Sequence, residues 1–365
     1  MAVAIVGAGF SGAVVARELA EAGVNVEVFE TRDHIGGNCF TERHECGTIV
    51  HVYGPHIFHT ADQRVFDYIS QFGEFVPFEH RVHATAGGRV YSLPINLLTV
   101  NQVFGTTFTP SEAEAFLASQ SVPKGERTDL EAHGRSMLGD VLYELFFDGY
   151  TTKQWGSAPS ELPASVLQRL PVRFNYDSSY FSHPIQAMPR LGYTPIFEQL
   201  LDHPRIDLHL NTAIDAAGLA GFDHAFWSGP VDAYFGYSLG RLRYRTLDFE
   251  EEVHDGDYQG CSVMNQTDLD VPFTRVTEFN YFTPWEHHDR TVIYREFSRD
   301  CGENDIPYYP LRLNEDGELL GRYLEAADQE PGVTFLGRLG TYRYLDMDVC
   351  IGEALDVAAE FLKTV

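Results

Sequence analysis

The chain has 365 residues, 44% of them hydrophobic, which is enough to bury substantial cores and to divide into two or three domains. Its 26 Lys and Arg face 53 Asp and Glu, a formal net charge of -27. So acidic an average argues against nucleic acid or an anionic membrane as partner, because phosphate binding needs a concentrated basic face. The N-terminus lacks the basic and apolar regions of a signal peptide, and no segment has the apolar length to span a bilayer. A cytoplasmic protein without membrane insertion is therefore expected. Cys39, Cys46, Cys261, Cys301 and Cys350 are scattered and form no CxxC pair, which fits free thiols in a reducing compartment.

Val3 to Val6 reads as a short buried parallel strand that runs into GAGFSG. Gly7, Gly9 and Gly12 occupy the GxGxxG positions, which provide a tight turn, close backbone approach to a pyrophosphate, and close helix packing. AVVARELAEAG follows as a helix stopping near Gly23, and NVEVFE is a second strand ending in Glu30. Strand, glycine turn, helix and an acidic residue 18 positions beyond Gly12 agree on a dinucleotide site. Free N–H groups at the helix start would hold the diphosphate and Glu30 would accept from the adenosine ribose. NAD and FAD both fit to this point. RDHIGGN, Arg32 to Asn38, favours FAD, because a glycine pair after the acidic strand lets backbone lie against a second stretch of an extended cofactor.

YGPHIFHT carries His56 and His59. Two histidines with no third ligand at suitable spacing do not make a metal site, so no metal is expected. DQRVFDYISQFGEF reads as an amphipathic helix and RVHATAGGRVYSLPIN as a hairpin about Gly87 and Gly88. From Thr109 to about Ser165 the pattern is mainly helical, with Leu138, Val141, Leu142, Leu145 and Phe146 marking one apolar face. In ELFFDGYTTKQWG, Phe147 reads as core, whereas Tyr150 and Trp155 stand among polar residues and suit a stacking platform for a base or a sugar face. QRLPVRFNYDSSYF reads as a loop whose Arg169 and Arg173 lie close in sequence to that cluster, as an anion clamp would. RIDLHLNTAI and FDHAFWSGP read as strands returning to the first sheet. SVMNQ, FTRVTEFNYF and TVIYREF read as a second, antiparallel sheet carrying Asn265 and Arg275. DIPYYPL holds Tyr308 and Tyr309 between two prolines. Finally VTFLG is a strand, and a helix marked by Ile351, Leu355, Ala358 and Leu362 should start near Asp346. Arg343, between them, reads as half of a structural ion pair.

IVGAGFSG, IGGN, GPHIFHT, YTTKQWG, RLPVRFNYDSSYF, FTRVTEFNYF, PYYP and GRLGTYRYLDMD occur in this order over essentially the whole chain. In these motifs the sequence resembles the bacterial UDP-galactopyranose mutases. The resemblance implies an α/β fold with a discontinuous Rossmann-like FAD-binding domain (1–75, 190–235 and 325–365), a helical insertion domain (100–170) and an antiparallel-sheet substrate domain (76–99, 171–189 and 236–324). It implies an isomerase that interconverts UDP-galactopyranose and UDP-galactofuranose through a covalent adduct with N5 of reduced FAD, supplying galactofuranose for cell-surface glycans. It also implies a reductant such as NAD(P)H or a reductase, and a homo-oligomer.

By residue matching, Phe146, Tyr150, Thr151, Gln154, Asn175 and Phe181 should surround the uridine, with Trp155 near the sugar. Arg169 and Arg275 should grip the diphosphate with Tyr180, Tyr309 and Tyr344. His56, His59, Asn265 and Arg338 should face the flavin or galactose. Gly7, Gly9, Phe10, Ser11, Gly12, Glu30, Arg32, Gly37, Asn38, His56, Arg338, Asp346 and Met347 are the expected cofactor contacts. A flavin-dependent oxidase would explain only the first 40 residues, and a nucleotide-sugar binding protein would leave Glu30 and the glycine pairs without a role.

Overall fold

The computed structural model describes residues 1–120, 129–164, 172–311 and 317–365. Five short strands form a parallel sheet in the order Ile206–His209, Asn25–Phe29, Ala2–Val6, His224–Trp227, Val333–Phe335. The central strand Ala2–Val6 is an apolar run buried along almost its whole length, as covered faces require, whereas the edge strand Ile206–His209 carries Asp207 and His209. Helix Phe10–Glu21 buries Ala13, Val14, Val15, Ala16 and Leu19 against the sheet and packs along helix Met347–Leu362, whose Ile351, Ala354 and Ala358 are buried. Their small residues bring the helix axes close to each other and to the strands. The expected sheet, both returning strands and the terminal helix are all present.

The second sheet has seven strands in the order Tyr309–Pro310, Tyr244–Asp255, Arg290–Asp300, Arg275–Glu278, Val263–Gln266, Val82–Ala86, Arg89–Leu93. It is antiparallel except where Val263–Gln266 runs parallel to Val82–Ala86. The strand predicted through FTRVTEFNYF ends at Glu278, and Phe279–Phe282 form a 3-10 turn that buries Phe279 and Phe282 three residues apart. A three-stranded sheet of Phe58–Thr60, Ile185–Pro189 and Phe75–Pro77 lies beside the parallel sheet's core.

The 82–93 hairpin supplies Ala84, Ala86 and Tyr91 to the core of the helical region, where they meet Leu117, Leu130, Leu138, Leu142 and Phe146. One helical expectation fails: Val141 is exposed. Gly139 adopts φ 72 inside the helix Leu130–Tyr143, and residues 144–148 form a π-helical turn. A left-handed residue and a wider turn both shift the phase that a regular helical period assumes. Leu138, Leu142 and Phe146 stay buried and Val141 turns outward.

Candidate functional site

Four loops at the carboxyl ends of the parallel strands converge, where open α/β sheets place their ligands. Gly7 follows the first strand, Glu30 the second, Ser228 the fourth and Gly337 the fifth. A Cβ on Gly12 would stand 1.9 Å from the Gly7 carbonyl oxygen, so only glycine lets helix and turn close here. Gly37 (φ 55) faces Gly9: a Cβ there would lie 3.3 Å from the Gly9 Cα. The two glycine motifs therefore form one surface, tied by Gly36 N donating to Ala8 O at 2.9 Å. The helix Phe10–Glu21 begins at Gly9 without a side-chain cap and has no acidic residue in its first turn, which keeps that end electropositive. Phe10 and Ser11 are buried beneath it, Phe10 against Tyr193 and Phe197. Glu30 accepts from Ala8 N at 2.9 Å and Arg32 N at 3.0 Å, so its carboxylate is fixed at the strand end. Arg32 donates to Asn38 Oδ1 at 2.8 Å and lies over the Tyr53 ring, yet its buried Nη1 has no hydrogen-bond partner among the described residues.

From this surface a cleft of about 820 Å3 runs to the helical region. Asn38, His56, Arg338, Asp346 and Met347 line its near end. His56 donates from Nδ1 to Gly54 O at 2.8 Å, and burial pulls its pKa down to about 4. It is therefore neutral at pH 7, with Nε2 left as an acceptor. Arg338 donates to Tyr308 O at 2.7 Å and packs over the rings of Tyr344 and Tyr309, 4.9 and 5.5 Å from their centroids, while its buried Nε has no hydrogen-bond partner among the described residues. Arg343 makes a two-pronged ion pair with Glu353, as its ion-pair reading expected.

At the far end the helix Gly149–Trp155 presents Tyr150, Thr151, Gln154 and Trp155, with Phe146 just before it. Tyr309 stacks on Tyr344 at 5.6 Å and meets Trp155 at 6.4 Å, so three aromatic residues from separate segments form a continuous wall. Asn265 and Arg275, paired in register on adjacent strands, line the floor. Arg275 donates from Nε to Glu296 Oε1 at 3.0 Å, and Glu296 is almost fully buried. Both Nη nitrogens of Arg275 carry no hydrogen bond among the described residues. The phenols of Tyr150, Tyr309 and Tyr180 are close enough to interact with its charge. Burial pushes the Tyr150 and Tyr309 phenols up, so they remain neutral donors. His59 stacks on Phe181 at 3.7 Å and shares a 2.7 Å contact with His183 through the two Nδ1 atoms.

Asn175 stands outside this lining, exposed, with Oδ1 accepting from Asp177 N at 2.9 Å. Arg169 lies outside the described residues. The cleft also contains His80, His183 and Tyr53, which the sequence did not single out. His80 is buried, its Nδ1 has no hydrogen-bond partner among the described residues, and burial with Arg275 nearby holds its pKa at about 3. No local pattern marks these residues, because each meets its neighbours across long stretches of chain. Among the described residues no group of three or more His, Cys, Asp or Glu is placed to hold a metal, and no helix is long and apolar enough to cross a membrane.

Residues 145–344 match the family model of UDP-galactopyranose mutase, and residues 5–72 match that of an NAD(P)-binding Rossmann-like domain. A Klebsiella pneumoniae protein described as "Probable UDP-galactopyranose mutase" is 53% identical over 99% of this chain and 94% of its own length. The dTDP-fucopyranose mutase of Escherichia coli is 50% identical over 99% and 98%. The solved structure of a reduced UDP-galactopyranose mutase superposes with a TM-score of 0.79, at 16% identity, over 100% of this chain and 96% of that one, and so shares its fold. With near-complete coverage at more than half identity, and a family model matching more than half of the chain, the chain belongs to the UDP-galactopyranose mutase family.

Proposed function

We propose that this protein interconverts UDP-galactopyranose and UDP-galactofuranose, with FAD in its reduced form as cofactor. The observation that carries the reading is Arg275: a guanidinium with two uncommitted Nη nitrogens, among phenols, in a cleft that opens onto the dinucleotide surface. A diphosphate matches that fork.

The residues present fit FAD. Gly7, Gly9, Phe10, Ser11 and Gly12 offer an uncapped helix start to its diphosphate, and Glu30 offers carboxylate lone pairs to its ribose. Gly37 leaves room for close approach, and the orphaned Arg32 Nη1 and Arg338 Nε are buried donors awaiting an acceptor. Asn38, His56, Asp346 and Met347 complete the contacts toward the ring. When bound and reduced, FAD would supply nucleophilic chemistry toward the anomeric carbon.

The protein's own work is electrostatic and positional. Arg275, with Arg169, holds the diphosphate and stabilises the charge that grows on UDP as it departs. Tyr180, Tyr309 and Tyr344 donate to the same oxygens. Phe146, Tyr150, Thr151, Gln154 and Phe181 hold the uridine and Trp155 covers the sugar, while Asn175, exposed and outside the lining, takes no part. Neutral His56, together with His59 and Asn265, orients the sugar hydroxyls, and no side-chain nucleophile is required. A cytoplasmic NAD(P)H or reductase system maintains the reduced cofactor, and the product feeds cell-surface glycan synthesis.

The 50% identical Escherichia coli relative favours a second reading, in which the same chemistry acts on dTDP-fucopyranose. The test gives purified protein each nucleotide sugar, with the cofactor chemically reduced or left oxidised, and follows furanose formation. UDP-galactose turnover confined to the reduced state is expected. Preference for dTDP-fucose would replace the substrate assignment, and a colourless protein that takes up no FAD would overturn both readings.

A further inference from the structure

We propose that Lys153 is a positioning residue, which sets two walls of the cleft against each other by filling a ring of main-chain carbonyls with its ammonium group. Its effect on turnover rests on the mutase reading above. The helix Gly149–Trp155 turns Tyr150, Thr151, Gln154 and Trp155 toward the cleft. By the helical period Lys153 and Gly149 point to the other side. There Lys153 Nζ donates to Gln266 O at 2.8 Å, Asp268 O at 2.8 Å, Val271 O at 2.9 Å and Phe273 O at 3.1 Å. Four acceptors share the three N–H bonds of one cation.

The loop that supplies these oxygens joins strand Val263–Gln266 to strand Arg275–Glu278, which carry Asn265 and Arg275 into the floor. Backbone contact reinforces the seam, since a Cβ on Gly149 would meet Thr267 O at 2.2 Å. The Asp268 carboxylate also accepts from Gly87 N with both oxygens at 3.0 Å, tying the loop to the hairpin turn. Lys153 is thus the side chain that converts an irregular loop into a rigid joint between the aromatic wall and the guanidinium floor. A merely surface-seeking lysine would leave its ammonium in water rather than among four carbonyls.

The arrangement is what a potassium or ammonium ion finds in a carbonyl-lined site, where main-chain oxygens replace its hydration shell. Removing the side chain should therefore leave a ring that such an ion fills. In Lys153→Ala, kcat should fall and KM rise, with kcat/KM down by about ten- to a hundredfold, the scale of a misplaced wall. Ammonium or potassium chloride should restore part of both, while choline chloride at matched ionic strength should not, and wild type should be indifferent to the exchange. A variant with wild-type kinetics, or a loss that no monovalent cation relieves, would overturn the proposal.

If K153A is insoluble, K153R serves: its planar fork keeps the charge but does not fit the ring, so kcat/KM should stay about tenfold low, and wild-type kinetics would refute the ring. The melting temperature of K153A in the ammonium, potassium and choline salts, measured without nucleotide sugar, tests the same ring independently. A rise in ammonium or potassium alone supports it even if the mutase assignment fails, and no difference between the salts counts against it.

Discussion

Glu296 holds Arg275 by one edge only, and this decides what a substitution there would do. Arg275→Ala removes the fork proposed to stabilise the departing diphosphate, which should lower kcat by about a hundred- to a thousandfold. It also leaves the Glu296 carboxylate buried with the Thr274 hydroxyl as its side-chain donor, at a cost of about 3–5 kcal/mol in stability. Kinetics and thermal melting on the same sample separate the two losses. Arg275→Lys should recover much of the stability but little of kcat, because a point charge cannot replace a two-pronged donor. A lysine variant with wild-type kcat would remove Arg275 from the diphosphate site. Arg275, Tyr150 and Tyr309, which the motif resemblance singled out, line the cleft. The resemblance gave no warning of His183, which reaches His59 across 124 positions of chain.

Among the elements, those with a strong local signature were legible. The first strand, glycine turn and helix announce themselves because apolar run, GxGxxG and helical period coincide. The hairpin about Gly87 and Gly88 was equally plain. Two features were not. The bend at Gly139 and the π turn after it arise from packing around one residue, and a regular period averages over them. Phe279 and Phe282 are hydrophobic in strand and 3-10 turn alike, so composition could not say where strand Arg275–Glu278 stops. The facing glycines support a sharper test. In Gly37→Ala the new methyl must meet Gly9 at an already tight distance and at positive φ, at a cost of about 1 kcal/mol or more in the backbone alone. The protein should fold with a modestly lower melting temperature and retain much less flavin on purification, read from its visible absorbance. Full flavin content would show that this surface does not carry the cofactor.

For the molecule as a whole, acid is the condition that best exposes its buried polar groups. Burial holds His51 at about 3, His56 at about 4 and His80 at about 3. An unfolded histidine binds its proton near pH 6.5, so these neutral rings contribute stability above that pH, and it is lost as pH falls toward 4 and 3. By pH 5 the loss is about 2 kcal/mol per histidine. Relief of self-repulsion at a net charge of -27 acts in the opposite direction, but salt screens it and leaves the buried rings untouched. In salt, the melting temperature should therefore decline below about pH 6.5, and a flat profile to pH 5 would contradict the burial of these rings.

The parallel sheet has a different consequence. Its central strand, Ala2–Val6, lies between a neighbour at Asn25–Phe29 and one at His224–Trp227, with Val333–Phe335 beyond. During synthesis the first hydrophobic strand leaves the ribosome more than two hundred residues before its second partner exists. The amino-terminal pair of strands must wait with both edges unpaired, since Ile206–His209 and His224–Trp227 both come about two hundred residues later. Loading of the proposed cofactor at the carboxyl ends of these strands would therefore come late in the life of each new chain.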